Sequence, residues 1–207
     1  MKFSELSDEA KEHARQEYLK DGIGYDWWDH TCEDAVRMGE MLGISIHNRG
    51  YRTVGGAALQ QPDISFSGFS SQGDGACFTG LYRFAPDAIK KITAETNDGK
   101  LLRFATDLTT LQIKRRLLGQ GLLIANIKAG MSNYCHSDTM DIEVDLDGDE
   151  LDDTEFSIDD KPLADIIRAF ADWIYDQLET ESDYLHSDEH VDERLADDEF
   201  DEDGELI

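Results

Sequence analysis

The stretch from residue 64 to residue 84 constrains the fold most, because two runs of alternating residues flank a glycine-rich turn. Ile64 and Phe66 alternate with serines, and a second run of period two begins at Cys77. Alternation of this kind is typical of strands with one buried face. The intervening SSQGDG supplies the glycines that a tight turn needs. This stretch therefore predicts a β-hairpin.

Other segments have the 3.6-residue periodicity of amphipathic helices, several with capping residues at their ends. These helices are expected from Ser7 to Gly22, from Tyr25 or Asp26 to Leu42, from Gly99 to Gly119 and Gly121, and from Asp160 to Leu178. Leu118 is placed on the apolar side of the third, and a short helix is expected to begin at Pro86. The stretch from Gly50 to Pro62 is interpreted as a glycine-rich loop.

Strands are also expected at residues 122–128 and 134–146, with a further short one near Phe156 and Ile158. This order of elements predicts an α+β fold in which an antiparallel sheet, built from the hairpin and a meander, packs against several helices on one face. We expect residues 1–178 to form a single domain. Residues 179–207 are expected to be an acidic extension that is partly helical or disordered.

The net charge of −27 is concentrated in two segments. Residues 141–160 hold 11 acids and no base, and residues 179–207 hold 14 acids and only Arg194. A field of this strength repels nucleic acid and acidic membranes, and it attracts basic surfaces such as DNA-binding grooves. Direct nucleic-acid binding is therefore disfavoured, since contacts to phosphates require basic side chains, of which these segments have almost none. The competing interpretation is that the acids only keep the protein in solution.

One hypothesis is a binding protein without enzymatic activity, whose carboxylates stand in for the phosphates of nucleic acid. The candidate contacts come from both acidic segments and are Asp145, Asp147, Asp149, Asp152, Asp153, Asp197, Asp198, Asp201 and Asp203. The expected partner is a protein with a basic, nucleic-acid-binding surface. Electrostatic complementarity of this kind sets the association rate and the choice of partner, and it predicts binding that weakens with salt.

The string DGAC, from Asp74 to Cys77, raises the alternative of cysteine chemistry. Its D-G-x-C spacing resembles the start of the catalytic helix in ovarian-tumour-type cysteine proteases. Cys77 would be the nucleophile of a cysteine-dependent hydrolase, with His136 as its base and Asp138 or Asp141 as a third member. Cys77 begins a β-like alternation instead of a helix, so a buried structural cysteine is the competing interpretation.

No metal site or cofactor is expected. Residues 143–149 imitate the first half of an EF-hand loop, but Thr154 stands where the bidentate glutamate belongs. The six histidines have no HExxH or CxxC companions, so zinc has no support. The glycines of residues 68–80 do not match a phosphate-binding loop.

A cytoplasmic location is expected. No apolar run approaches the roughly 18 residues that a membrane span needs, and no secretory leader is visible at the N-terminus. The three cysteines include no CxxC pair, which suits a reducing compartment.

Several segments together resemble a family of bacteriophage and prophage proteins of unassigned function. They are FSELSDEAKEHAR, SFSGFSSQGDGACF, YCHSDTMDIEV, WIYDQLETESDYLHSDEHVDE and FDEDGEL. The resemblance implies a mobile element and the cytoplasm of an infected bacterium. The partner of the acidic binding protein would then be a host defence or DNA-handling protein. A phage accessory protein without a host target is the remaining alternative.

Overall fold

The computed structural model describes residues 1–20, 23–24, 26–52, 55–56, 58–130, 135–148, 159 and 161–207. The helices are α1 (Asp8–Lys20), α2 (Asp29–Leu42), α3 (Ala88–Glu95), α4 (Gly99–Leu117), α5 (Lys161–Leu185) and α6 (Asp188–Leu195). The strands are β1 (Ile44–Ile46), β2 (Asn48–Arg52), β3 (Ala58–Pro62), β4 (Ile64–Phe66), β5 (Ala76–Phe78), β6 (Gly80–Tyr82), β7 (Leu123–Lys128) and β8 (Asp141–Leu146). Short 3-10 turns cover Phe3–Glu5 and Ser137–Thr139.

The fold is α+β, as the sequence predicts, and the strand pairs are antiparallel. Two compact units divide the chain. The terminal unit combines Met1–His30 with Gln177–Ile207, and the central unit comprises Thr31–Asp176. The boundary expected at residue 178 stays a prediction.

A four-stranded sheet in the order β1-β6-β7-β8 forms the centre of the central unit. Across its inner face, Ile44, Tyr82, Ala125 and Val144 lie opposite one another in register. The first three are buried, whereas Leu81 on the outer face is 41% exposed. The apolar alternation therefore gives the sheet one buried face and one open face, as expected for an antiparallel sheet.

A three-way junction is formed by three residues that each separate two consecutive strands. They are His47 between β1 and β2, Asp63 between β3 and β4, and Thr79 between β5 and β6. The N–H of His47 donates to Thr79 O at 2.8 Å, the N–H of Asp63 to His47 O at 2.7 Å, and the N–H of Thr79 to Asp63 O at 3.0 Å. This closed ring satisfies backbone groups that would otherwise lack partners at the strand ends. Each segment changes its pairing partner at this junction.

The predicted hairpin is confirmed by the pairing of β4 with β5, in which Ser65 lies opposite Cys77. The second run of the alternation is not one strand, however. It divides at Thr79 into β5 and β6, which belong to different sheets. Thr79 belongs to neither strand, and β5 is buried at all three of its positions. The alternation in the sequence passes through Thr79 unchanged, so it does not mark the change of partner.

The prediction of an irregular loop from Gly50 to Pro62 is wrong. Strands β2 and β3 form a hairpin there, with Tyr51 opposite Leu59. The residues of β2 and most of those of β3 are exposed. Because this hairpin depends on backbone pairing and does not bury one face, it lacks the alternation by which strands are recognised.

Helix α4 ends where the sequence predicts, and Gly119 and Gly121 follow it with φ of +69° and +72°. Leu118 does not lie on its apolar side but is the C-cap and is 62% exposed. Gln112 is fully buried on the face that packs inward. The apolar stripe therefore ends earlier than periodicity alone indicates.

Several predicted element boundaries shift. Helix α2 begins at Asp29, and α3 begins at Ala88 with Asp87 as N-cap, after Pro86. The strand expected from residue 134 begins at Asp141, because a 3-10 turn precedes it. Helix α5 continues past Leu178 to Leu185. Gly22, Tyr25, Phe156, Ile158 and Asp160 lie outside the described residues.

The terminal unit has its own small apolar core. Its buried members are Phe3, Leu6, Ala10, Ala14, Val191, Leu195 and Phe200. The rings of Phe3 and Phe200 meet edge to face at 5.9 Å. Gly204 adopts φ of +89°, and a Cβ there would lie 2.2 Å from the carbonyl oxygen of Ala10, so only glycine allows this approach. Within the described part of the chain, none of the helices has the length and apolarity that crossing a membrane requires.

Candidate functional site

Strand β8 presents the first group of acids. Asp141, Glu143 and Asp145 are exposed, while the residues between them are half-buried. Alternate residues of a strand lie about 7 Å apart on one face. Lys128 Nζ donates to Glu143 Oε1 at 3.0 Å, and hydrogen bonds from Lys128 and Asn126 hold the pKa of Glu143 below its ordinary value. The negative charge of these three acids is therefore partly neutralised by Lys128 on β7.

Asp147 is exposed in the turn after β8, where its N–H donates to Leu122 O at 2.9 Å. Gly148 follows it with φ of +129°. Asp145 is thus on a regular strand and Asp147 on an anchored turn. The other candidates from this acidic segment, Asp149, Asp152 and Asp153, lie outside the described residues.

The C-terminal segment (residues 197–207) carries the second group of acids, and it is folded against the N-terminal residues of the chain. The N–H of Phe200 donates to Met1 O at 2.8 Å, and Lys2 Nζ donates to Asp197 O at 2.8 Å. The N–H of Ile207 donates to Glu199 O at 2.9 Å. Phe200 is only 2% exposed, so the segment is fixed to the N-terminus by an apolar anchor as well as by backbone bonds.

The four candidate acids of this segment, Asp197, Asp198, Asp201 and Asp203, are all exposed. Asp201 Oδ1 also accepts hydrogen bonds from the N–H groups of Asp203 at 3.0 Å and Glu205 at 2.9 Å. Such a bond shapes the turn while leaving the other carboxylate oxygen towards solvent. The structure therefore brings all four together on one short, ordered segment.

Arg15 on α1 links α1 to α6 by ionic contacts. Its Nε and Nη2 donate to the two carboxylate oxygens of Asp192 at 2.6 and 2.8 Å, and Nη1 lies 3.5 Å from Asp188. The hydrogen bond from Arg15 holds the pKa of Asp192 below its ordinary value. The pKa of Arg15 is raised by the same bond. Two-pronged pairs of this kind are among the stronger ionic contacts in proteins.

Most of the described acids of the terminal unit have no such partner, because cations are scarce there. The unit contains 22 acids and 5 bases, a net charge of −17. The larger central unit contains 24 acids and 14 bases, a net charge of −10. The terminal unit therefore combines the more negative net charge with a folded C-terminal segment, and it is the best-supported candidate site.

The expected cysteine site has a different character. Cys77 lies on β5 and is 1% exposed. The pKa of its thiol is raised to about 12, mainly by burial and to a smaller extent by the neighbouring Cys135. A nucleophilic cysteine requires the opposite shift, because the thiolate is the reactive form. Cys77 therefore lacks the lowered pKa that the catalytic nucleophile of a hydrolase requires.

His136 and Asp74 are engaged in local turns. Nδ1 of His136 accepts from the N–H of Asp138 at 3.1 Å, which caps the 3-10 turn. The carboxylate of Asp74 accepts from the N–H groups of Ser70 and Ser71 at 3.0 and 2.6 Å. The structure does bring the chain at His136 against the hairpin, since a Cβ on Gly75 would lie 3.0 Å from His136 Cδ2.

A groove of about 460 Å³ lies between α4 and α5 in the central unit. Phe104 and Trp173 are among the residues that line it, together with four aspartates, Lys100 and Arg103. Its charges are largely paired within the chain, because Lys100 bonds Asp176 and Arg103 lies 3.5 Å from Asp107. We therefore do not assign it as the functional site.

Among the residues that the structure describes, no three His, Cys, Asp or Glu side chains are grouped as metal ligands. The EF-hand-like sequence continues beyond Gly148 into residues outside that part of the chain. Its assessment from the sequence stays a prediction.

A family model described as a domain of unknown function, DUF8835, matches residues 27–188. The chain belongs to this family. No curated protein and no solved structure matches it. The matched region includes Cys77 and strand β8, whereas Asp197 and the rest of the C-terminal segment lie beyond it. The family therefore assigns no activity, and the most acidic part of the candidate site lies outside the shared region.

Proposed function

We propose that this chain is an acidic binding protein that occupies the basic, nucleic-acid-binding surface of another protein. The observation that carries the proposal is the C-terminal segment, whose exposed acids are fixed on a frame anchored by Phe200. Carboxylates on a rigid frame present a defined charge pattern, as the phosphates of a duplex do. The net charge of −17 in the terminal unit supplies the long-range attraction.

The order of this segment favours recognition over solubility alone. Fixing a residue's backbone costs about 1–2 kcal/mol, so an extension that only keeps a protein in solution has no reason to fold. Here burial of Phe200 in the same apolar cluster as Val191 and Leu195 of α6 contributes to offsetting that cost. The cysteine-dependent alternative has less support, because Cys77 is buried and its pKa is raised to about 12.

The partner is proposed to be a bacterial host protein that handles DNA or defends against mobile elements. The resemblance of the sequence to phage and prophage proteins supports this context and a location in the host cytoplasm. Asp145 and Asp147 in the central unit form a second, smaller group of carboxylates for the same role. In this proposal the protein acts as a DNA mimic and an inhibitor, with no catalytic step.

Capture from bacterial lysate tests the proposal, with the immobilised chain compared to a variant. The variant replaces Asp197, Asp198, Asp201 and Asp203 with asparagine, which keeps the Asp201 oxygen that shapes the turn. A matched control removes four charges from exposed acids of the central unit, namely Asp87, Asp138, Asp165 and Asp172. We expect the intact chain and the control to capture a DNA-binding protein that the variant does not.

Two further measurements make the result specific. Bound protein should be released by added duplex DNA, and its retention should fall at least about tenfold between roughly 50 and 200 mM salt. Circular dichroism should be unchanged in both variants. If intact chain, variant and control capture the same proteins, or if DNA does not compete, the proposal is wrong.

A further inference from the structure

Cys135 packs against the hairpin two residues from Cys77, because its carbonyl oxygen accepts a hydrogen bond from Ser67 and approaches Gly75. After burial, the thiol of Cys135 is a cause of the raised pKa of Cys77, so the two side chains are neighbours. Neither CxxC spacing nor periodicity links these residues in the sequence. The tertiary structure brings them together because the chain that follows β7 returns across the hairpin of β4 and β5. Both thiols are free.

The backbone of Cys135 is fastened to the hairpin independently of the thiols. Ser67 Oγ donates to Cys135 O at 3.4 Å and accepts from the N–H of Gly75 at 3.1 Å. A Cβ at Gly75 would lie 3.0 Å from Cys135 O, so a larger residue there would push this segment back by a few tenths of an ångström. The position of Cys135 beside the hairpin therefore rests on a contact between backbone segments.

The two thiols differ in exposure. Cys77 is 1% exposed within β5, whereas Cys135 is half-buried. Cys135 is therefore the residue of the pair that is more accessible to a small oxidant. A half-exposed thiol beside a second thiol that can displace oxygen from it is the arrangement found in redox-responsive proteins.

We propose that Cys77 and Cys135 form a thiol oxidation site, in which a peroxide converts the pair to an intramolecular disulfide. Cys135 is the reacting sulfur and Cys77 is the resolving sulfur. The third cysteine, Cys32, is buried on α2 and takes no part. This inference does not rest on the proposed binding function.

The reaction balances with one molecule of hydrogen peroxide as oxidant. The Cys135 thiolate attacks one peroxide oxygen, an S–O bond forms, the O–O bond breaks and hydroxide leaves, which yields a sulfenic acid. This hydroxide removes the Cys77 proton and becomes water. The Cys77 thiolate then attacks the Cys135 sulfur, the S–S bond forms, the S–O bond breaks and a second hydroxide leaves. That hydroxide takes up the proton that Cys135 lost at the start, so the two thiols and the peroxide become one disulfide and two waters.

Thiol counting on the full-length chain tests this proposal. The protein is treated with equimolar hydrogen peroxide, denatured, and alkylated before mass spectrometry. We expect the alkylated thiols to fall from three to one, with Cys32 remaining, and a peptide pair joined through Cys77 and Cys135. In the reduced, native protein, Cys135 should alkylate at least about tenfold faster than Cys77.

Variants separate the roles. Cys32→Ser should leave disulfide formation unchanged, and Cys135→Ser should leave Cys77 reduced after peroxide. Cys77→Ala should accumulate a sulfenic acid at Cys135 that dimedone traps. If Cys77→Ala does not fold, the native chain still decides the question by its thiol count. Retention of three thiols, a linkage that involves Cys32, or disulfides only between molecules would overturn the proposal.

Discussion

The terminal and central units show two ways of accommodating acidic residues in a folded chain. In the central unit, acids such as Glu143 and Asp107 lie near cations on neighbouring strands or turns of helix. In the terminal unit, Arg15 is one of only five bases among 22 acids, and it contacts α6 through Asp192. The central unit therefore pairs part of its acids with nearby cations and has a net charge of −10, whereas the smaller terminal unit has a net charge of −17.

This difference bears on the stability of the two units. The central unit has a sheet, several helices and a large apolar core, whereas the terminal unit depends on a small core around Phe3 and Phe200. Self-repulsion destabilises a compact unit of high net charge, so its few apolar and ionic contacts matter more. We therefore expect the central unit to supply most of the folding free energy.

Removal of the apolar anchor tests this contrast most severely. Phe200→Ala should lower the stability of the terminal unit by about 3–5 kcal/mol, because a buried aromatic ring is replaced by a cavity. Amide hydrogen exchange should show protection lost in α6 and the C-terminal segment. Leu206→Ala, at a residue that is 67% exposed, should change stability by less than about 0.5 kcal/mol. Equal effects of the two substitutions would show that the segment is not anchored as described.

A buried amide provides the corresponding test in the central unit. Gln112 Nε2 donates to Leu123 O at 2.9 Å, and Gln112 Oε1 accepts from the N–H of Leu123 at 2.8 Å. Gln112→Leu leaves both backbone groups unpaired and should destabilise the protein by about 2–4 kcal/mol in urea unfolding. Gln16→Leu, at an exposed position on α1, is the control. A cost below about 1 kcal/mol would mean that the sheet does not depend on this bridge.

The Arg15–Asp192 pair should have a smaller effect that depends on pH. A double-mutant cycle with Arg15→Met and Asp192→Asn should give a coupling of about 1 kcal/mol, the upper end for a partly exposed pair. Arg15 lowers the pKa of Asp192 in the folded state, so the pair stabilises the protein above the ordinary aspartate pKa. That stabilisation is lost as the pH falls below about 4.

Chemical denaturation between pH 7 and pH 2 measures this dependence. The intact chain should lose more stability over the acidic part of this range than the Asp192→Asn variant does. The same dependence in both proteins would contradict the assignment of the Asp192 pKa shift to Arg15.

The smallest effect is expected on strand β8. Glu143 is exposed, although a hydrogen bond from Lys128 lowers its pKa. Solvent screens such pairs, so Glu143→Gln should leave the thermal midpoint unchanged to within about 2 °C. Lys128→Met should behave in the same way. A larger loss in either variant would mean that the central unit also depends on its surface ion pairs.

Local features of this fold could be predicted from the sequence because they depend on neighbouring residues. The stripe of α5 and the glycines after α4 identify those helices, and the alternation around SSQGDG identifies the pairing of β4 with β5. The acidic segments and the candidate residues Asp197 and Asp198 also follow directly from composition.

Features that depend on distant pairing could not be predicted. The junction of His47, Asp63 and Thr79 is made by backbone groups, which every residue has, so no side-chain pattern marks it. As a polar residue, Gln112 is expected at the surface from the sequence alone. Its burial is explained only by its two hydrogen bonds to the backbone of Leu123. Cys135 has no signal at all, because its contact with Cys77 exists only after the chain returns across the hairpin.

The sequence by itself thus determined the fold class, most of the helices, the central hairpin and the location of the charge, since periodicity and composition are properties of short stretches. The tertiary structure alone decided which strands pair at the junction and which thiols meet. It also decided that the C-terminal segment folds around Phe200. These outcomes depend on contacts between residues far apart in the chain, whose free energy is gained only when the whole core forms.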